Sequence, residues 1–227
     1  MTARAAVQMT SVTAADDAKC KSLNISAEAA IYNYNQCGSQ VHEPEIEFKV
    51  SGPKVMRSEI VTNMISSSNL PFEPDTFQKM TWNAVAAKNS VILTAPCSSG
   101  KMITAEKCVD IMQKVTRVED GVGLGVLPLS SIMQEAIRKD SNSAFITMKG
   151  NIETGEVKPE EISEESWKKV LRENLLKCKY KVIYGHPESF DSEEGRLILE
   201  ELEEQGKIVF IFIDEGKCQQ IFTFSVC

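Results

Sequence analysis

A short loop behind an apolar run carries residue types that bind phosphate. The residues A-P-C-S-S-G-K-M, 95–102, follow the β-rich run VILTA, 91–95, and precede a segment with helical periodicity. Backbone N–H groups of such a loop cradle phosphate oxygens, and the ammonium of Lys101 would reach the outer phosphates. Ser98 replaces a glycine expected in the loop, and Met102 stands where a hydroxyl normally binds magnesium. Taken alone, the pattern also fits an ordinary turn between a strand and a helix.

Two adjacent acids end the most apolar strand candidate. Asp214 and Glu215 follow KIVFIFI, 207–213. At a strand end an aspartate can hold Mg²⁺ through water, and the glutamate beside it can orient and deprotonate an attacking water. Two solvated acids ending a strand are also common. A Gly-Lys loop and an Asp-Glu pair, each ending a buried strand, are what metal-assisted phosphoryl transfer requires. We therefore expect Lys101 and the two acids to converge at neighbouring strand ends.

The elements that must position these residues alternate between strand and helix from about residue 60. Helix candidates begin at Asp75, at Lys101, after Ser163 and at Asp191, the last of them running to Gln205. The strand candidates are apolar on both faces, which predicts a parallel sheet covered by helices on both sides. They are VILTA (91–95), GLGVL (123–127), AFITM (144–148), KVIYG (181–185) and KIVFIFI (207–213). Ligands bind at the carboxyl ends of the strands in such a sheet.

The N-terminal quarter of the chain has a different character from the rest. Residues 1–57 show no sustained period and are rich in Ala, Ser, Asn and Lys, so we expect a largely disordered tail. Residues 58–227 form the predicted α/β domain. Trp82 and Trp167 lie on helix faces, where core packing is more common than base stacking. His186, a loop histidine, favours a structural role.

Bulk composition excludes several classes of protein. The net charge of −7 gives no electrostatic footprint for nucleic acid over the whole chain, which leaves only a local binding edge open. The seven cysteines form no CxxC pair, which argues against a zinc site or a disulfide framework and favours a reducing, intracellular setting. The longest apolar run, at 208–213, is too short to cross a bilayer, and the N-terminus lacks the apolar core of a signal peptide.

Five sequence blocks, taken in order, resemble a known family. They are PFEPDTFQKMTWNAVAAKNSVILTAP, the 95–102 loop, LPLSSIMQEAI, EESWKKVLRENLLKCKYKVIYGHPESF and IDEGKCQQI. From Phe72 to Ile221 the chain resembles the first motor domain of superfamily 2 helicases, and among them the RecQ-like DNA helicases of DEAH type. The resemblance implies a RecA-like P-loop domain, an α/β fold whose parallel β-sheet is flanked by helices.

The resemblance also implies roles for individual residues. ATP with Mg²⁺ is the expected cofactor, with Gln78 reading the adenine, Asp214 holding the metal, and Lys101, Asp214 and Glu215 as catalytic residues. The other residues expected to line the nucleotide are Ala95, Pro96, Cys97, Ser98, Ser99, Gly100 and Met102. DNA, single-stranded or forked, is expected to contact Pro128, Leu129, Ser130, Ser131, Pro187, Glu188 and Ser189. The family activity is ATP-dependent 3′–5′ DNA unwinding, which implies a nuclear location.

Departures from the family pattern limit this expectation. Glu73 stands where the family has an arginine, Met102 removes the magnesium hydroxyl, and Lys217 replaces a histidine that couples hydrolysis to DNA. The sequence ends at Cys227, before the second motor domain and its arginine fingers, which raise hydrolysis by orders of magnitude. We expect nucleotide binding with weak or absent hydrolysis, and a sheet that is incomplete after Asp214 and left with an open apolar edge. The alternative is a non-catalytic pseudo-helicase or gene fragment that acts as a binding module.

Overall fold

The computed structural model describes residues 5–10, 47–51, 58–67, 70, 72–95 and 98–214. Its strands are β1 (Ala5–Thr10), β2 (Glu47–Ser51), β3 (Ser90–Thr94), β4 (Val122–Val126), β5 (Ser143–Ile146), β6 (Ile152–Thr154), β7 (Val182–Gly185) and β8 (Ile208–Asp214). Its helices are α1 (Ser58–Ser67), α2 (Thr76–Ala86), α3 (Lys101–Thr116), α4 (Ser130–Lys139), α5 (Glu164–Leu176), α6 (Pro187–Asp191) and α7 (Glu193–Glu204). Within these residues no helix has the length and apolar character needed to cross a bilayer.

The strands form one sheet in the order β2-β3-β1-β8-β4-β7-β5-β6. The six inner strands, β3-β1-β8-β4-β7-β5, are all parallel to one another. The two outer strands, β2 and β6, pair antiparallel with β3 and β5. The prediction of an α/β fold with a mostly parallel sheet flanked by helices is therefore confirmed.

Apolar side chains pack on both faces of the sheet. One core joins β8 to helices α1 to α4 and contains Phe210, Phe212 and the fully buried Trp82. The other core lies under α5 and α7 and contains Leu175 and Ile198. Successive residues of a strand point to opposite faces, so a strand that supplies both cores must be apolar throughout. This explains the unbroken apolar run of β8.

Two segments of the predicted tail belong to the sheet. Ala5–Thr10 forms β1, which pairs with β3 on one side and with β8 on the other. Glu47–Ser51 forms β2 and pairs with β3. Composition does not predict these strands, because their backbone partners lie far away in the sequence. The disorder expected for the other residues of 1–57 falls outside the described residues and stays a prediction.

β8 is an inner strand of the sheet, so the open apolar edge expected from the missing strand does not lie beside Asp214. β8 has parallel partners on both sides, β1 and β4, so its backbone N–H and C=O groups are paired in both directions. The N-terminal strand β1 thus lies between β3 and β8, at a position where the sequence pattern predicts no strand. Any further strand after Asp214 falls outside the described residues.

Side-chain caps confirm two of the predicted helix starts. At α2 the backbone N–H of Asp75 donates to Gln78 Oε1 at 2.9 Å, which is one half of a capping box. At α5 the Ser163 Oγ accepts from the Ser166 backbone N–H at 3.2 Å. In each cap a side-chain oxygen accepts a hydrogen bond from a backbone N–H at the helix start, where the backbone N–H groups have no carbonyl partner within the helix.

The single helix predicted from Asp191 to Gln205 is wrong at its beginning. Ser192 has an extended backbone, with φ −62° and ψ 156°, and its Oγ accepts from the Gly195 backbone N–H at 3.1 Å. Ser192 therefore ends the short helix α6 and caps α7. On α7, Leu197 is 47% exposed, whereas Ile198 and Leu202 are fully buried.

Candidate functional site

The loop that carries Lys101 and the strand that carries Asp214 end at the same edge of the sheet. β3 and β8 are both parallel to β1, with Thr94 opposite Thr10 and Asp214 opposite Met9. The two strand ends thus differ in level by one residue. Because β1 lies between them, β3 and β8 are two strand spacings apart, about 10 Å. The expectation of directly neighbouring strands is therefore wrong. The two strand ends share one edge of the sheet, and Glu215 lies outside the described residues.

The loop turns into α3 through two residues with left-handed backbone. Ser98 has φ 63° and Gly100 has φ 86°. Glycine adopts such angles without strain, whereas an L-residue with a side chain loses about 1 kcal/mol there. The backbone at Ser98 thus has the conformation of the glycine expected at that position. Pro96 and Cys97 lie outside the described residues.

The side chain of Lys101, the first residue of α3, folds back over the loop. Its Nζ donates to the carbonyl oxygen of Ala95 at 2.9 Å, which joins the end of the loop to its start. Ala95 itself is buried. Ser99 Oγ is a buried side-chain oxygen without a hydrogen-bond partner among the described residues. Because an ammonium group carries three N–H donors, binding of a phosphate at this loop does not require loss of the hydrogen bond to Ala95.

Gln78 lies against the loop from the side of α2. It is only 3% exposed, and its Oε1 serves the cap at Asp75. A Cβ placed on Gly100 would lie 3.0 Å from Gln78 Nε2, so the amide group and Gly100 are in close contact. The structure therefore places Gln78 beside the loop, and its reading of adenine stays a prediction. Glu73, found in place of the family arginine, approaches Lys79 at 3.8 Å on the surface.

Position 102, where a serine or threonine hydroxyl would be expected to bind magnesium, is a methionine. The next threonine, Thr104, does not supply this hydroxyl. Met102 is half-buried and packs against the core that contains Trp82. Thr104 is fully buried, and its Oγ1 donates to the carbonyl oxygen of Gly100 at 2.8 Å. Because Thr104 is fully buried, its hydroxyl oxygen is not accessible to an ion at the loop.

The two segments predicted to contact nucleic acid lie side by side. They follow β4 and β7, which are adjacent and parallel. Ser130 Oγ and His186 Nε2 lie 2.7 Å apart and join the segments directly. Leu129 is 48% exposed. The structural role favoured for His186 agrees with this hydrogen bond, whose partner the sequence does not indicate.

Only part of the second segment is accessible. Pro187 is buried and Ser189 is fully buried, whereas Glu188 is exposed. Ser189 Oγ is another buried oxygen with no hydrogen-bond partner among the described residues. A ligand at this surface would therefore meet Glu188 and the loop after β4 rather than the side chains of Pro187 and Ser189.

A half-buried carboxyl joins α3 to the sheet. Tyr184 on β7 donates its hydroxyl to Glu106 Oε1 at 2.7 Å. Burial raises the pKa of Glu106 above its ordinary value of 4.5, and the negative charge of Asp140 acts in the same direction. The Tyr184 hydrogen bond, Lys181 and Lys107 oppose this rise in pKa. Sequence patterns gave no sign of this pair, since its members are 78 residues apart.

We expect Glu106→Gln to stabilise the protein increasingly as pH rises. A carboxyl whose pKa is raised by folding contributes stability below its unfolded pKa and loses it as pH rises through the folded pKa. Glutamine keeps the acceptor for Tyr184 and has no charge to desolvate. The difference in free energy of unfolding between variant and wild type should therefore grow from pH 4.5 to pH 7.5 in urea titrations. Glu165→Gln, at an exposed position of α5, is the matched control. A difference that does not change with pH would contradict the burial of an ionising Glu106.

Comparison with known proteins does not assign this chain to a family. No protein-family model matches the chain, and no curated protein shows a significant match. What is established is an α/β domain with a mostly parallel sheet, whose carboxyl edge brings together the 98–101 loop, Asp214 and the segments at 128–131 and 186–189.

Proposed function

We propose that this chain is the ATP-binding domain of a RecQ-like DNA helicase, with a RecA-like fold. One observation carries the proposal: the loop ending in Lys101 and the strand ending in Asp214 meet at one edge of a parallel sheet. A lysine-bearing loop before a long helix, and an acid two strand spacings away at the same edge, suit a bound nucleoside triphosphate and its cation.

The nucleotide would be held mainly by the loop and the start of α3. Backbone N–H groups of 98–101 and the Lys101 ammonium would bind the phosphates, and Gln78 beside Gly100 would face the adenine. Asp214 would hold Mg²⁺, which neutralises phosphate charge. No cluster of three or more His, Cys, Asp or Glu occurs in the described part of the chain. Mg²⁺ is commonly bound through one or two carboxylates, with water and substrate phosphates as its other ligands.

The nucleic acid would lie along the same edge, beyond the nucleotide. β8, which carries Asp214, is adjacent to β4, and β4 is adjacent to β7. The segments at 128–131 and 186–189 therefore continue the edge away from the Lys101 loop. Binding of the two ligands at one continuous edge would let the nucleotide influence the nucleic-acid surface. Glu215, the proposed general base, lies outside the described residues.

Hydrolysis is proposed to be weak. Met102 packs into the core and provides no hydroxyl for Mg²⁺. Lys217 stands where the resemblance expects a histidine that couples hydrolysis to DNA. The same packing of Met102 favours the alternative function, a pseudo-helicase that binds a nucleic acid or a protein without using ATP.

Titration with a fluorescent ATP analogue, with and without magnesium, tests the proposal. We expect micromolar binding by the wild type and a loss of at least about tenfold in Lys101→Ala, because hydrogen bonds to charged groups contribute about 1.5–3 kcal/mol. Lys114→Ala is the matched control, because it removes the same charge from an exposed position near the end of α3.

Two results would contradict the ATP-binding function. One is an absence of binding by the folded wild type at millimolar nucleotide, which would favour the pseudo-helicase. The other is equal binding by Lys101→Ala and Lys114→Ala, which would show that the nucleotide binds elsewhere.

A further inference from the structure

His186 connects two loops that are distant in sequence. Its Nε2 lies 2.7 Å from Ser130 Oγ, across 56 residues of chain. The imidazole is only 7% exposed and meets the ring of Phe145 edge-on, with centroids 6.0 Å apart and planes at 74°. A ring held by a hydroxyl on one side and an aromatic ring on another has little freedom to rotate.

The backbone of His186 also begins the turn that follows β7. Its carbonyl oxygen accepts from the N–H groups of Ser189 and Phe190, at 3.0 and 3.3 Å. Ser130 is the first residue of α4. The imidazole thus links the start of α4 to the start of α6, and a shift of one loop must be transmitted to the other.

We propose that His186 and Ser130 are a positioning pair that makes these two loops one nucleic-acid-binding surface. This inference rests on the proposed function and goes beyond it, since it assigns to His186 a role in orienting the hydroxyl that contacts phosphate. His186 acts through Ser130 and is not itself a contact, because its ring is buried.

The direction of the hydrogen bond decides what Ser130 can do. A serine hydroxyl has one hydrogen to donate and two lone pairs to accept with. When Nε2 carries a hydrogen and donates it, the Ser130 hydrogen remains available to a phosphate oxygen. When Nε2 is bare, the Ser130 hydrogen is used by the imidazole. A phosphate bound at Ser130 therefore selects the form of His186 with hydrogen on Nε2.

A double-mutant cycle on binding of a fluorescently labelled oligo-dT strand tests the pair. Ser130→Ala and His186→Ala should each weaken binding about tenfold, and the double variant should bind no more weakly than either. His186→Gln, whose amide N–H can reach the place of Nε2–H, should bind close to the wild type. Ser141→Ala, in an exposed turn, is the control. The free energy of unfolding is measured for every variant, and His186→Gln carries the test where His186→Ala does not fold.

Nuclear magnetic resonance gives a second readout, because the chain has only two histidines. In the complex with oligo-dT, the ¹⁵N shift of His186 Nε2 should be that of a nitrogen that carries a hydrogen, and any change that occurs on binding should be absent in Ser130→Ala. Additive losses in the cycle, or a bare Nε2 in the complex, would overturn the positioning role while leaving the helicase-type function in place. No binding of oligo-dT by the folded wild type would overturn the positioning role and the DNA-binding part of the proposed function, and nucleotide binding is tested separately.

Discussion

Trp82→Ala is expected to lower the free energy of unfolding by about 3–5 kcal/mol. The indole is fully buried in the core between α2 and the sheet, and its Nε1 donates to the carbonyl oxygen of Thr104 at 3.0 Å. Alanine removes both the packing and this link from α2 to α3. Because Thr104 lies one turn after the loop that carries Lys101, we also expect the variant to lose affinity for nucleotide if the proposed function holds. Urea unfolding followed by circular dichroism measures the loss of stability.

Trp167→Ala is the matched control for this experiment. Trp167 lies on α5 and is half-buried, so its removal should have a much smaller effect on stability. Where Trp82→Ala fails to fold, Trp82→Phe keeps an aromatic ring and loses the indole hydrogen bond, with an expected loss of about 1–3 kcal/mol. Equal losses for alanine at positions 82 and 167 would contradict the packing of α2 on α3.

Gly195→Ala is expected to destabilise the protein by about 3 kcal/mol, at the upper end of overpacking effects. In an ordinary helix this change would be stabilising by about 0.5–1 kcal/mol, so the sign itself is informative. A Cβ at Gly195 would lie 2.0 Å from the carbonyl oxygen of Ser189 and 3.0 Å from Phe190 Cα. No side-chain rotation relieves contact with backbone atoms. Either α7 or the turn after β7 must move, and thermal unfolding monitored by circular dichroism detects the cost.

In Gly195→Ala the movement of α7 or of the turn after β7 should also weaken binding at the proposed nucleic-acid surface, since Ser189 belongs to the turn that begins at His186. Gly206→Ala is the control for the glycine substitution. A Cβ at Gly206 would meet no atom within 4 Å, so no steric clash is expected. The only expected loss of stability, about 1 kcal/mol, comes from placing an L-residue at the left-handed φ of 67°. A neutral or stabilising Gly195→Ala would show that α7 does not approach the turn so closely.

These substitutions, together with those at Lys101, Glu106 and His186, probe different parts of one arrangement. α2 and α3 hold the Lys101 loop, β8 carries Asp214, and the turns after β4 and β7 continue the same edge. The nucleotide titration and the oligo-dT titration can fail independently. A protein that binds DNA but not ATP would thus be recognised as the pseudo-helicase, and the reverse result would confine the proposal to the nucleotide half of the edge.

The sequence alone determined the class of fold and the place of the candidate site. Strands apolar on both faces predict a covered parallel sheet, and parallel strands bring their carboxyl ends to one edge. The Gly-Lys loop and Asp214 at the end of β8 could therefore be assigned to that edge by local pattern, whereas the segments at 128 and 187 were singled out by the resemblance to the helicase family. Helix starts at Asp75 and Ser163 were also predictable, because a cap is formed by residues three apart.

Only the tertiary structure decided which distant residues meet. The place of β1 between β3 and β8, the Ser130–His186 hydrogen bond and the Glu106–Tyr184 pair all join parts of the chain separated by tens of residues. Periodicity and capping signals extend over a few residues and carry no information about strand order. Strand order fixes which loops are neighbours, so the partners of His186 and Glu106, and the strand that separates Lys101 from Asp214, could not be inferred before the sheet was assembled.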